Sequence, residues 1–199
     1  MSTPNFPPII GLTGAAGSGK DTVRGMLEAH GYIGMAFADP MRAMLAELLE
    51  HAGLPEAWLT ERQRKEEPIP WLGLSYRQMA QTLGTEWGRA LHPDFWLRIA
   101  SMRMGSYPEG TRFVISDVRF ANEAKLVRDL GGVVWRIVRP GIEAVRPHVS
   151  ETELGSIRVD DLVNNHGTIE QLQVEVDWAL RVSQFTRDAA EPATRQEVA

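Results

Sequence analysis

The sequence predicts a three-layer α/β fold, in which a five-stranded parallel sheet carries helices on both faces and a helical lobe is inserted in the chain. Three observations support this. Short apolar runs alternate with stretches whose apolar residues recur at helical spacing, and such crossovers return the chain to the same end of a parallel sheet. The first run, Ile9-Ile10-Gly11-Leu12-Thr13, opens directly into a glycine-rich loop and then a helix. Gly14, Asp39, Asp117, Arg139 and Asn164 fall at or just after expected strand ends, the edge where ligands of such sheets bind.

Taken in order, the first strand carries no polar side chain before Thr13, as a strand buried on both faces requires. From Lys20 to about His30, Val23, Met26 and Leu27 recur on one helical face, and Gly31 is a natural stop. Tyr32 to Phe37 reads as the second strand. A helix follows from about Pro40 to Ala52, with Met41, Met44, Leu45, Leu48 and Leu49 inward. Residues 53–74, with ERQRKEE in their middle, read as a solvated connection. Two helical stretches come next, Tyr76 to Leu91 and Pro93 to Met104, in which Trp87, Phe95 and Trp96 are available for packing or for a flat ligand. Phe113 to Ser116 reads as a strand, Asn122 to Leu130 as a helix and Gly132 to Val138 as a strand. A short strand at Asp161 to Val163 leads through Asn164-Asn165-His166-Gly167 into a helix from Ile169 to about Gln184. Residues 1–183 are thus expected to form one domain, with its core at about 8–52 and 111–183 and its insertion at about 53–110. Residues 184–199 read as a loose tail.

The 199 residues suffice for one sizeable core, and 43% hydrophobic with 24% charged residues is a globular composition. With no cysteine, a disulfide framework, a thiol nucleophile and a cysteine-held zinc are excluded. The amino terminus lacks a basic region followed by a long apolar run, and no apolar stretch approaches the ~20 residues a bilayer span needs. A cytoplasmic protein without membrane association is expected. The net charge of -5 argues against a nucleic-acid polymer as partner and leaves room for a small anionic ligand.

Gly14-Ala15-Ala16-Gly17-Ser18-Gly19-Lys20 matches G-x-x-x-x-G-K, after an expected strand and before an expected helix. Glycines let such a loop turn backbone N–H groups toward phosphates, and the helix N-terminus adds positive potential. This is the phosphate-binding loop of a P-loop NTPase fold, with Lys20 supplying a full charge near the β- and γ-phosphates. The next residue is Asp21, where the usual motif has Ser or Thr to hold Mg²⁺, and Thr22 comes only after it. Asp21 is read either as a magnesium contact or as a first-turn acid favoured by the helix dipole.

Asp117 ends an apolar strand in the manner of a Mg²⁺-organising carboxylate. It is followed by Val118 and Arg119 rather than by an acid that could activate water. A guanine-reading N-K-x-D segment is absent, so a regulatory GTPase is not expected. Arg77, Arg89, Arg119 and Arg139 are candidates to hold an anionic acceptor and to neutralise charge at a transferring phosphoryl group. A monophosphate acceptor is already largely a dianion near neutral pH and needs no general base, whereas a hydroxyl acceptor would. Asp39 is read as such a base, as an organiser of metal and substrate, or as a helix cap.

The strings GSGKDT, FADPMR, YRQMAQTLGTEWGR, ISDVRFANEA, VVWRIVRPG, HVSETEL and DDLVNNHGTIEQL resemble the bacteriophage deoxynucleoside monophosphate kinases, in the same order, over roughly residues 8–175. RQ-x(3)-LGTEWGR is the most specific of these phrases. The resemblance implies ATP- and Mg²⁺-dependent conversion of a deoxynucleoside monophosphate to its diphosphate. It places Gly14 to Thr22 on the ATP phosphates and Arg77, Gln78 and Arg89 at the acceptor, with Asp117 and Arg119 matching the strand-end motif; Asp39 and Trp87 complete the expected acceptor contacts. Lys20, Arg119, Arg139 and Asp39 are the expected catalytic groups, and Asp21 and Asp117 the expected Mg²⁺ contacts. Asn164 and Asn165 fall where related kinases approach adenine, with a plain turn as the alternative. His148, Ser150 and Glu151 match H-x-SE without an assigned role.

Two other readings stay open at this level: a small-molecule kinase resembling dephospho-coenzyme A kinase, and a module that binds ATP without transferring phosphate. The sequence does not say which bases are accepted, how deoxyribose is preferred or whether the chain forms a homodimer.

Overall fold

In a computed structural model, which describes residues 5–61, 63–142 and 157–190, the apolar runs form one parallel sheet. Its strands are β1 (Ile9–Thr13), β2 (Tyr32–Met35), β3 (Arg112–Ile115), β4 (Val133–Val138) and β5 (Asp161–Asn164). Their spatial order is β2-β3-β1-β4-β5. Every neighbouring pair is parallel, with Gly11 of β1 level with Ile115 of β3 and Val134 of β4. The expected three-layer α/β fold is the one observed.

The chain divides into two compact units, one made of Met1–Met35 and Tyr107–Ala199, the other of Ala36–Ser106. In the first, side chains alternate across the sheet. Ile10 and Leu12 point to one face and are buried with Val23 and Leu27 of α1 (Lys20–Ala29) and with Leu172, Val176 and Leu180 of the carboxyl-terminal helix. Between them, Gly11 looks to the other face, against Val118 and Val127. Val127 belongs to the helix Ala121–Asp129. The carboxyl-terminal helix runs from Ile169 to Ala190. It passes the expected end at Gln184 because Ser183 is still buried and Arg187 donates to the Gly131 carbonyl at 2.8 Å.

The second unit begins with α2 (Asp39–His51), continues through α3 (Ala57–Thr60) and α4 (Tyr76–Gln81) to α5 (Arg89–Leu91), and ends in α6 (Phe95–Gly105). The two further helices of the first unit, Ala121–Asp129 and Ile169–Ala190, are then α7 and α8 in chain order. Residues 53–74, expected to be a solvated connection, supply part of a second core: Trp58 and Ile69 are buried with Leu45, Leu49 and Tyr76. Two cations of the charged run lie over this core, the Arg64 guanidinium 5.7 Å from the Trp58 ring and the Lys65 ammonium 5.9 Å from the Tyr76 ring. Because Leu45 and Leu49 pack into this core, α2 belongs to the second unit and not to the sheet.

The helix expected over Tyr76 to Leu91 is continuous in direction but changes type. Between α4 and α5, Thr82–Gly88 forms a π-helix. The wider turn leaves a carbonyl for a side chain, and Trp96 Nε1 donates to the Gly84 carbonyl at 2.8 Å. Gly88 makes room for the same ring, since a Cβ there would lie 2.5 Å from Trp96 Nε1. The two glycines of LGTEWG thus serve one tryptophan in different ways, Gly84 through its carbonyl and Gly88 through its missing side chain.

Candidate active site

The glycine loop lies between the end of β1 and the start of α1. Gly14, Gly17 and Gly19 have φ of 139°, 83° and 103°, values that side-chain-bearing residues rarely adopt. Space forbids side chains at the first and last of these as well. A Cβ on Gly14 would meet the Ile137 carbonyl of β4 at 2.5 Å, and one on Gly19 would meet Asn165 Nδ2 at 2.4 Å. The outer glycines of the motif are thus the points where the loop is pressed against the β4–β5 side of the sheet. The Lys20 ammonium donates to the Gly14 and Ala15 carbonyls at 2.6 and 2.8 Å, folding back over the loop. Ser18 Oγ, in a residue 1% exposed, and Thr13 Oγ1, in a residue 0% exposed, have no hydrogen-bond partner among the described residues. Asp21 and Thr22 occupy the exposed first turn of α1.

β3 lies beside β1, and its exit is tied to both neighbours: Ser116 N–H donates to the Met35 carbonyl at 3.0 Å and Val118 N–H to the Leu12 carbonyl at 3.1 Å. Asp117, between them, is held buried at the strand end next to the loop. The turn that follows presents the exposed Arg119. Its shape depends on Glu123, a carboxylate in a residue 4% exposed that accepts the Arg119 N–H at 2.7 Å and the Phe120 N–H at 3.1 Å. Glu123 stands in the ISDVRFANEA string without an assigned role there; it satisfies the N–H groups of the two residues that lead into α7. Arg139 follows β4 directly and is exposed. Asn165 donates its N–H to the Val138 carbonyl at 2.7 Å and its side-chain amide to the Ser18 carbonyl at 2.8 Å. Asn164 turns instead to Glu175 of α8, at 3.3 and 3.4 Å.

The remaining candidates lie in the second unit. Asp39 is the first residue of α2 and not the residue before it. Its Oδ2 accepts the Ala36 N–H at 2.9 Å, and its carboxylate draws in Arg42 at 3.4 Å and Arg103 at 3.8 Å. Arg103, from α6, escaped notice because nothing in the chain signals its approach to Asp39. Gln78 and Ser75 form a reciprocal helix cap: Ser75 Oγ accepts the Gln78 N–H at 3.2 Å and Gln78 Oε1 accepts the Ser75 N–H at 2.8 Å. Arg77 pairs with Glu66. Arg89 donates to the Pro93 carbonyl at 3.3 Å. Trp87 is 42% exposed and leans edge-on against Phe95, ring centroids 5.6 Å apart. His148, Ser150 and Glu151 lie outside the described residues.

Among the described residues, no three His, Asp or Glu side chains converge into a metal cage, and no helix is long and apolar enough to cross a membrane.

Comparison with known proteins gives consistent findings. The family model described as deoxynucleotide monophosphate kinase matches residues 66–176. A protein of Acanthamoeba polyphaga mimivirus named as a deoxynucleotide monophosphate kinase is 35% identical over 185 residues, covering 84% of this chain and 93% of its own. The deoxynucleotide monophosphate kinase of Escherichia phage RB69 is 27% identical over 54% of this chain, and there the match spans 45% of the phage protein. A solved gluconokinase from Sinorhizobium meliloti aligns at TM-score 0.48 and 18% identity, covering 94% of this chain and 99% of that one. The family match and the likeness to the viral protein together show that this chain belongs to the deoxynucleotide monophosphate kinase family.

Proposed function

We propose that the chain transfers the γ-phosphoryl group of ATP to a deoxynucleoside monophosphate, giving ADP and the deoxynucleoside diphosphate. The observation that carries the donor half is the glycine loop, whose three positive-φ glycines sit between β1 and α1 with Lys20 folded over them. In that position the loop N–H groups and the α1 N-terminus take the phosphates, and the Lys20 ammonium exchanges the Gly14 and Ala15 carbonyls for phosphate oxygens.

In the reaction, an oxygen of the acceptor phosphate bonds to the γ-phosphorus while the bond to the β–γ bridging oxygen breaks. The electron pair leaves with ADP. The acceptor dianion attacks without surrendering a proton, so no general base is required. Charge at the transferring group is countered by Lys20 with Arg119 and Arg139. Arg77, Arg89 and Trp87 serve the acceptor. Gln78 is committed to the cap on Ser75 and so places the neighbouring Arg77. Asp39 is engaged by Ala36 N–H and two guanidinium groups, a setting for holding arginines in place.

Mg²⁺ fits this donor set. In triphosphate chemistry the ion is carried largely by phosphates and water and needs only one or two protein oxygens. Asp117, buried at the end of β3, and Asp21 in the first turn of α1 are the carboxylates for it, and Ser18 Oγ, without a partner among the described residues, is the hydroxyl that the loop itself offers. The ion would lower the charge of the triphosphate facing an anionic acceptor. Action in the host cytoplasm, where free nucleotides are available, suits such an enzyme.

The test is incubation with ATP, Mg²⁺ and a panel of ribo- and deoxynucleoside monophosphates, following ADP and acceptor diphosphate together. Equal yields of the two products with a deoxynucleoside monophosphate are expected. ADP without diphosphate, or no turnover with any acceptor, would remove this reading.

A further inference from the structure

Asn165 is fixed by main chain on both sides. Its own N–H is tied to the Val138 carbonyl at the end of β4, and its amide Nδ2 reaches the Ser18 carbonyl at 2.8 Å, across 147 residues of sequence. The missing side chain of Gly19 is what allows the amide to sit there. The neighbouring Asn164 is turned to Glu175, so the two asparagines, alike in sequence, are employed differently.

A trans peptide carries its C=O and N–H on opposite sides. With the Ser18 carbonyl held toward Asn165, the Gly19 N–H is turned the other way, as an anion-binding loop requires. A glycine peptide flips easily, and the flipped form would offer an anion a carbonyl dipole in place of an N–H. We propose that Asn165 is a positioning residue for the phosphate loop: it locks the Ser18–Gly19 peptide in the phosphate-receiving orientation and does not read the base of ATP. This rests on the reading of Gly14 to Thr22 as the ATP phosphate loop.

The test separates phosphate from base. Inorganic tripolyphosphate, ATP and adenosine are titrated calorimetrically into the full chain, wild type and with Asn165→Ala or Asn165→Leu. Alanine leaves space and leucine fills it, and circular dichroism establishes that each variant is folded. Both variants are expected to lose affinity for tripolyphosphate and ATP by the same factor, about tenfold, the worth of one hydrogen bond. Adenosine binding should be unchanged. A fall for ATP with tripolyphosphate unaffected, or no fall for either, would overturn the proposal. Wild-type protein that binds tripolyphosphate but never phosphorylates a monophosphate would remove the proposed reaction and leave the role of Asn165 standing.

Discussion

The carboxylate of Glu123 accepts the Arg119 N–H at 2.7 Å, so a buried acid on α7 holds the turn on which an exposed arginine leaves the sheet. Glu123→Ala would strand two N–H groups and cost about 2 kcal/mol of stability. Glu123→Gln keeps an acceptor oxygen and should recover most of that loss. Chemical denaturation of the two variants measures the difference. Equal stability of both with wild type would deny the turn its dependence on Glu123.

The Lys20 ammonium donates to the Gly14 and Ala15 carbonyls, within its own loop. Lys20→Ala should therefore melt within a few degrees of wild type while turnover falls by about 10³-fold, the scale of removing a charge aimed at the transferring group. Steady-state kinetics beside a thermal melt would show this separation.

Asp39→Asn distinguishes acceptors. It keeps an oxygen for the Ala36 N–H but weakens the hold on Arg42 and Arg103. For a monophosphate acceptor, turnover should drop by about tenfold, with a rise in acceptor KM. A loss of several orders of magnitude in turnover with unchanged KM would instead indicate base catalysis on a hydroxyl.

Trp96→Phe deletes the bond to the Gly84 carbonyl and should cost about 1 kcal/mol. Gly88→Ala drives a methyl into the same ring and should cost about 1–3 kcal/mol. If the π-helix exists to admit Trp96, combining the two changes should cost less than their sum, which a double-mutant cycle reads directly.

Burial pushes the Tyr32 phenol above its ordinary value of 10.0, against the opposing pull of Arg112 and Arg187. The folded state then keeps its proton where the unfolded chain gives it up. The stabilisation is complete below pH 10 and declines as pH rises above it. Tyr32→Phe should lose the bond to the Pro7 carbonyl and flatten the fall in stability above pH 10, measured by denaturation at a series of pH values.

The sheet could be read from sequence because parallel strands buried on both faces, such as Ile9 to Leu12 and Phe113 to Ile115, appear as unbroken apolar runs. The glycine loop was equally visible, since its constraints are local. Residues 53–74 misled because charge dominates their composition, while Trp58 and Ile69, the two that enter the core, follow no period. The π-helix escaped because one extra residue in a turn barely disturbs helical spacing. Asn165 and Arg103 act on partners whose proximity the fold alone creates, whereas Glu123 serves N–H groups three and four residues before it, a local spacing without the Ser or Thr that usually marks a helix cap.

Residues 36–106 leave from β2 and return at β3, which are hydrogen-bonded neighbours in the sheet. A segment exchanged between two adjacent parallel strands can be replaced by another of different length without rethreading the fold. With Arg77, Trp87 and Arg89 serving the acceptor as proposed, this segment is the unit to transplant between relatives while the glycine loop on β1 stays as it is, and a change in the monophosphates accepted is the expected readout.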